Sequence, residues 1–363
     1  MAERKPFERL LDEVVNEGKC SLCGACQNQC TAEGAFAVDV ASGDVSVHPE
    51  LCTECRSCLV VCPELASSDR AVDALAGEGL LGNVLDVSMM TTGLWRVRSA
   101  AGGVVTSLLL HLLESGEVTG VVIPSAKGAW GSGHVLVKTP EELLAATGNR
   151  VGKLTTIALR NGRVSNLSVL ASLRALHAAD PDGGDWAVVA LPCEAYTIAR
   201  MRVEKVEPYA RMKHVIGLFC FTNLPGHAAG LRKFEQATGM TLGDLASVSF
   251  GGTVRLTNAE GETRELALEE ALRFGPANCQ RCADVSARFS DISIGAVGAW
   301  PGFSTVVART RGGLQALRRA QREGYLRAAA DVYSDAPERG SLEEGLVRSV
   351  QGLAERKMAV VLA

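Results

Sequence analysis

Cysteine is the residue type whose number and spacing in this chain specify chemistry. All 12 cysteines fall into three groups of four. Cys20, Cys23, Cys26 and Cys30 are spaced C-x2-C-x2-C-x3-C, and Cys52, Cys55, Cys58 and Cys62 repeat that spacing with Pro63 following. The last four are Cys193, Cys220 and the C-x2-C pair Cys279 and Cys282. Four thiolates hold one cubane iron–sulfur cluster, so the count predicts three [4Fe-4S] clusters with no thiol left over. Such a chain would handle electrons one at a time.

The two N-terminal runs have the spacing of a bacterial two-cluster ferredoxin, in which the fourth cysteine of each run serves the other cluster. On that logic Cys20, Cys23, Cys26 and Cys62 form one set, and Cys52, Cys55, Cys58 and Cys30 the other. The first run departs from the pattern in having Thr31 where the second has Pro63. Zinc more often takes two separated C-x2-C pairs, and disulfides need an oxidising compartment. The third group is less specific. Its C-x2-C could mark zinc, a redox dithiol or a structural pair, and Cys193 and Cys220 could each be core thiols.

The elements that must position these thiols follow from hydrophobic spacing. A short helix is expected over Phe7 to Val15, then a ferredoxin fold over 20–66 with a hairpin of 35–40 and 44–47 turning at Ser42-Gly43. The following region reads as α/β. Gly102-Gly103 opens a helix to Ser115, Val118–Pro124 is a buried strand, and 169–178 is helical. Trp186–Leu191 is a strand broken by Pro192-Cys193, with a helix starting near Ala195. His214–Cys220 is a second apolar strand ending in a cysteine. Strands that deliver cysteines at their ends suit a site on the rim of an open sheet. Residues 295–308 read as a glycine-rich turn and a strand, and 312–324 as a basic helix. Ser341 and Glu344 form a capping-box pattern for a C-terminal helix.

Composition is ordinary for a globular chain, at 47% hydrophobic and 21% charged residues. The start of the chain has no apolar signal region, and no apolar run is long enough to span a bilayer, so a cytoplasmic location is expected, with peripheral docking on a membrane complex left open. The net charge of −4 is uneven: residues 1–65 carry 11 Asp and Glu against 5 Lys and Arg. An acidic module suits docking of a redox partner, though a solvated face explains it too. No basic tract with interleaved aromatics suggests nucleic acid.

Five stretches together resemble the beta subunits of coenzyme F420-reducing hydrogenases and dehydrogenases: 98–122 (RSAAGGVVTSLLLHLLESGEVTGVV), 188–201 (VVALPCEAYTIARM), 216–220 (IGLFC), 279–298 (CQRCADVSARFSDISIGAVG) and 302–313 (GFSTVVARTRGG). The N-terminal ferredoxin runs make it similar to the electron-input component of F420H2 dehydrogenases. The resemblance implies a cubane cluster on Cys193, Cys220, Cys279 and Cys282, beside a flavin. Two departures stand out. Gly148, Asn149, Arg150 and Val151 replace a Gly-Ser-Lys-Tyr-like stretch, and Phe221, Thr222 and Asn223 replace an acidic or amide-rich one.

A flavin also follows from electron bookkeeping, because F420 and nicotinamides exchange hydride whereas a cubane takes one electron. No G-x-G-x-x-G follows a strand and no Walker A motif is present. Gly102 and Gly103 at a helix start are the candidate flavin-phosphate site, with Ser99 as a cap. From the residues alone an ordinary helix start explains the pair slightly better; the resemblance turns the reading to FAD. Asn149, Arg150, Asn223, Gly295 and Gly298 are further flavin candidates. Lys127, Lys153 and Arg309 could meet the acidic tail of F420 or be solvated surface charges.

The expected architecture is an α+β ferredoxin-like two-cluster domain (1–66), a connector (67–97), an α/β flavin- and cluster-binding domain (98–330) and a helical tail (331–363). The expected activity is electron transfer between F420 and a redox partner through FAD and three [4Fe-4S] clusters. That partner would be a hydrogenase, a dehydrogenase, a heterodisulfide-reductase-like enzyme or a membrane electron-transport complex. The alternatives are an electron-transfer protein without its own F420 site and a flavin–iron–sulfur reductase of another organic acceptor.

Overall fold

The computed structural model describes residues 5–39, 44–65, 70–97, 102–124, 134–147, 157–160, 163–166, 168–222, 228–241, 245–250, 253–258, 260–275 and 277–362. Helix α1 (Pro6–Leu10) runs into a π-helical turn over Leu11–Val15, so the expected first helix is present. Next come α2 (Ala25–Gln29), the antiparallel hairpin β1 (Phe36–Asp39) and β2 (Asp44–Val47), and α3 (Ser57–Val61). The turn at Ser42-Gly43 lies outside the described residues. Phe7, Leu10, Val14, Ala35, Phe36 and Leu65 pack around Cys58 and Cys62 as a small core of their own.

The body continues with α4 (Arg70–Ala76), β3 (Asp86–Thr92), α5 (Val104–Glu114), β4 (Gly120–Pro124), β5 (His134–Val137), α6 (Pro140–Thr147), β6 (Ile157–Arg160) and β7 (Arg163–Asn166). Then follow α7 (Val169–Ala179), β8 (Trp186–Ala190), α8 (Pro192–Val203), β9 (Met212–Leu218) and α9 (Ala228–Thr238). A small sheet of β10 (Leu245–Phe250), β11 (Thr253–Asn258) and β12 (Thr263–Ala267) precedes α10 (Leu268–Phe274) and α11 (Ala277–Arg281). The chain closes through β13 (Ile292–Gly295), β14 (Ser304–Ala308), α12 (Arg311–Arg322), β15 (Leu326–Ala328) and α13 (Arg339–Leu362).

Eight strands form the main sheet, in the order β15-β3-β14-β13-β9-β8-β4-β5. Its centre is parallel, with β13 beside β9, β9 beside β8 and β8 beside β4. Central parallel strands are covered on both faces, which is why Trp186–Ala190 is buried at every position. On one face α5 and α12 bring Leu108, Leu109, Leu112, Ala316, Leu317 and Ala320 against Ile216, Ile292 and Val306. On the other, Leu170, Leu173 and Ile198 of α7 and α8 meet Trp186, Val188 and Val215. Ala25 and Val61 of the N-terminal domain belong to that second core. The cysteine-rich domain is therefore packed on the sheet's helical cover.

Three expectations on organisation change. The connector 67–97 contains β3, which pairs with β14 and β15 inside the main sheet. The helix expected near Ala195 starts at Pro192, because proline fits the first helical position and the Glu194 carboxylate accepts the Leu191 N–H at 2.7 Å. Ser341 and Glu344 sit inside α13 rather than capping it. That helix is no loose tail: Leu342, Leu346 and Val350 pack on Val87 and Met89 of β3.

His134 supplies a pH test of this packing. Burial alone pulls its imidazole down to about 4, against an ordinary 6.5. A depressed histidine favours the folded state above its unfolded pKa and loses that benefit as pH falls toward the folded value. Acidification from pH 6.5 to 4 is therefore expected to remove about 3 kcal/mol of stability. His134→Leu should abolish this part of the slope in denaturant titrations, and an unchanged slope would refute the assignment.

Candidate metal centres

The first two cysteine quartets are built by backbone conformations that repeat. Leu22 and Glu54 take φ of 56° and 60° within the C-x2-C loops, and Gly24 and Arg56, at the starts of α2 and α3, take 71° and 63°. Left-handed backbone at non-glycine residues costs energy and persists where the surroundings enforce it, commonly at functional sites. Here it curls each loop so that N–H groups turn inward. The N–H of Leu22 lies 3.4 Å from Cys20 Sγ. The N–H groups of Ala25, Glu64 and Leu65 likewise hydrogen-bond to Cys23 and Cys62.

Cys20, Cys23, Cys26 and Cys62 line one cavity with Leu10, Val14 and Pro63. Cys62 thus crosses from the second run to complete the first set. Charges on Cys55, Cys52 and Cys30 bear on Cys58, which brings the second set together in the same crossed manner. Burial pushes the thiols up, to about 11 at Cys23, about 12 at Cys62 and about 11 at Cys58. Four desolvated thiols do not ionise side by side without a cationic centre to neutralise them. Cys55 is the exception. It is exposed, and the Ser57 hydroxyl, 3.4 Å away, draws it down to about 7.

The third quartet converges from four places in the sequence. Cys193 lies in the first turn of α8, directly beyond β8. Its neighbour Glu194 is buried, and accepts the N–H of Val169 at 2.8 Å as well as that of Leu191. Cys220 follows β9, fixed by the hydrogen bond from its own N–H to Val285 O at 2.9 Å. Cys279 rides on α11 and Cys282 follows it. All four line one pocket on the sheet's carboxyl rim, enclosing about 640 Å³ with its open mouth. Burial raises Cys193 well above its ordinary value and raises Cys220 and Cys282 too.

Among the described residues, no group of three or more His, Cys, Asp or Glu closes to the spacing of a single metal ion. Four thiols lining one pocket are the number of ligands that a cubane takes. Cys23 and Pro63 line this pocket as well as the ferredoxin-type one, so the two cavities share a wall.

Spacing gives no sign of three residues at that wall. Glu64 is drawn up to about 6, first by burial and against the pull of Asn278, Arg281 and Lys19. Its charge acts on Cys20, Cys23, Cys62 and Cys282, in both quartets. Asn278, one residue before Cys279, is its hydrogen-bond partner. Lys357 reaches the pocket from α13. Its position continues the apolar stripe of Leu342, Leu346, Val350 and Leu353, and that break in a stripe is the one signal the sequence offers.

The expected flavin residues are only partly placed. Ser99, Asn149, Arg150 and Asn223 lie outside the described residues, as do Lys127 and Lys153. Gly102 and Gly103 precede α5 with φ of 71° and 68°, on the same rim as the cysteine pocket. A Cβ on Gly102 would approach the Phe303 carbonyl carbon to 3.0 Å, and one on Gly103 would meet Val97 at 2.9 Å. A Cβ on Gly295 would strike the Phe219 ring at 2.2 Å, and Gly298 holds φ of 79°. Packing and backbone angle account for these glycines, and no flavin contact follows from them.

Arg309 is neither a solvated charge nor open to a ligand. It is 3% exposed and donates to the carbonyls of Leu81, Asn83 and Ser286 and to the hydroxyls of Ser286 and Ser293. These bonds clamp the loop after Cys282 to the segment before β3.

Fold and site define an iron–sulfur class of protein: a ferredoxin-type domain seated on a mixed α/β body with a further cysteine quartet at the sheet rim. Residues 12–69 match the model of the 4Fe-4S dicluster domain. Residues 90–159 and 184–332 match the N-terminal and C-terminal models of the coenzyme F420 hydrogenase/dehydrogenase beta subunit. The chain belongs to that family of beta subunits.

One component of the F(420)H(2) dehydrogenase of Methanosarcina mazei is 24% identical, over 82% of this chain and 81% of that one. Coenzyme F420-dependent sulfite reductase of Methanocaldococcus jannaschii is 24% identical over 85% of this chain, which spans only 47% of that enzyme. A chain of the F420-reducing [NiFe] hydrogenase complex from Methanosarcina barkeri shares the fold, with a TM-score of 0.63, 18% identity, and coverage of 78% of this chain and 93% of that one. Among the described residues no helix is long and apolar enough to cross a membrane.

Proposed function

We propose that this chain exchanges electrons between coenzyme F420 and a partner protein, as the F420-linked component of an oxidoreductase, with three [4Fe-4S] clusters and FAD as bound groups. The observation that carries the proposal is the wall shared by the two cysteine cavities, with Cys23 and Pro63 in both. Bound there, cubane clusters would supply one-electron exchange and a flavin the conversion to hydride. The ligands assigned are Cys20, Cys23, Cys26 and Cys62; Cys52, Cys55, Cys58 and Cys30; and Cys193, Cys220, Cys279 and Cys282.

The chain's own contribution is position and environment. Burial of Ala25 and Val61 in the body's core fixes the ferredoxin-type domain against the third quartet. Arg174 donates to the carbonyls of Asn28 and Cys30, and Arg200 to that of Cys62, which tethers both cysteine runs to α7 and α8. Apolar neighbours keep water from the inner thiols, while Cys55 reaches the surface. The acidic balance of residues 1–65 suits a partner with a basic docking face. F420 as substrate rests on family membership and on the names of the relatives. Sulfite reduction is not part of the proposal, because the chain spans about half of that relative.

Protein prepared without oxygen is expected to hold about 12 iron per chain together with FAD, and to oxidise reduced F420 with a viologen as acceptor. Iron and flavin without that activity would favour a reductase of another organic acceptor. Iron alone would favour a protein that only relays electrons.

A further inference from the structure

Lys357 is a charged residue at a position the fold treats as core. It is 3% exposed, and it follows Leu342, Leu346, Val350 and Leu353 along one face of α13. Lysine is almost never buried to this degree unless paired. No carboxylate forms an ion pair with it among the described residues. Its Nζ donates to the Cys282 carbonyl at 3.0 Å and stands 5.3 Å from the centre of the Phe221 ring. Phe221 adjoins Cys220, so the ammonium is braced by the neighbours of two of the four thiols. It is also the one cation among the described residues lining the pocket.

The nearby acids are committed elsewhere. Glu194 receives the N–H groups of Leu191 and Val169. Asp284 receives those of Ser286 and Arg288, and lies under the charges of Arg309 and Arg288. Glu64 bonds to Asn278 and faces Arg281 and Lys19. Lys357 instead shares the pocket wall with Cys193, Cys220, Cys279 and Cys282, its Nζ bonded to the backbone of the last.

We propose that Lys357 is the positioning residue that sets the reduction potential of the group held by Cys193, Cys220, Cys279 and Cys282, by keeping a desolvated positive charge against it. The inference rests on the assignment of a [4Fe-4S] cluster to that quartet. Reduction adds one electron and no proton, making the cluster with its four thiolates more negative by one charge. A fixed cation at the wall favours that product over the oxidised form, and net charge near the cluster is one of the levers that set its potential. The effect is strong in a dry cavity and weak at a solvated surface. A raised potential would make the inner site an electron acceptor for whatever reduces it at the sheet rim.

The test is an anaerobic redox titration of the complete chain, followed by electron paramagnetic resonance, with iron determined in the same samples. Lys357→Met and Lys357→Gln remove the charge, and the second keeps a donor for the Cys282 carbonyl. Both are expected to shift the third signal's reduction equilibrium at least tenfold toward the oxidised form, about 59 mV for one electron. Lys357→Arg should stay near the parent, and the two ferredoxin signals should not move. Full iron with an unshifted third signal in either uncharged variant overturns the role of Lys357. An equal shift in Lys357→Arg also overturns it, since packing rather than charge would then be responsible. Parent protein with iron for two clusters only would sink the underlying assignment, an outcome the iron determination separates from the others.

Discussion

Cys279→Ala is expected to lower bound iron from about 12 to about 8 per chain, to erase F420-linked turnover, and to leave both ferredoxin-type signals intact. The expectation follows from how the cavities are built. Cys279 lies on α11 within the body, whereas the other two quartets are enclosed by α1–α3 and the hairpin. Losing one sulfur from the inner pocket leaves three desolvated thiols and an open corner. The outer quartets keep all their thiols and the left-handed turns that shape them. Spectra before and after dithionite reduction would show two clusters retained, and an F420H2–viologen assay would show loss to background. Surviving turnover would place the inner quartet off the electron route.

Arg309→Met should cost about 3–5 kcal/mol of stability, the magnitude that follows when one partner of a buried charge network is removed. The guanidinium stays charged at neutral pH, although burial pulls it down to about 10. Its removal strips the donors from the carbonyls of Leu81, Asn83 and Ser286 and takes a positive charge away from Asp284. Methionine fills the volume but satisfies none of them. The same bonds hold the loop after Cys282, so iron at the inner quartet should fall with stability. Comparative anaerobic unfolding measures the first effect and iron per chain the second. A variant as stable as the parent would mean that water replaces the clamp.

What can be read in the sequence divides by range. The two N-terminal quartets are local patterns, and their crossed pairing follows from spacing. The inner quartet is legible only through counting and through Cys193 and Cys220 lying at strand ends. Strand β3 is hidden in the connector because Asp86–Thr92 mixes polar and apolar residues, and its place in the sheet depends on β14 and β15, more than 200 residues later. The start of α8 is obscured because Pro192 has the look of a breaker, while the contribution of Glu194 depends on its reach to the N–H groups of Leu191 and Val169. Arg309 is unreadable in kind, and Lys357 shows only as a charge interrupting an apolar stripe. Composition places such residues in water, and only tertiary packing decides otherwise.

The unequal exposure of the thiols ranks the molecule's vulnerability to oxygen. Cys55 meets solvent, whereas Cys58 and Cys62 are buried. Oxidants attack accessible thiolates first. Damage would therefore begin at the outermost quartet and travel inward, sparing the sheet-rim pocket longest. The ferredoxin-type module would then double as a sacrificial shield, and bleaching in air should proceed in stages rather than all at once.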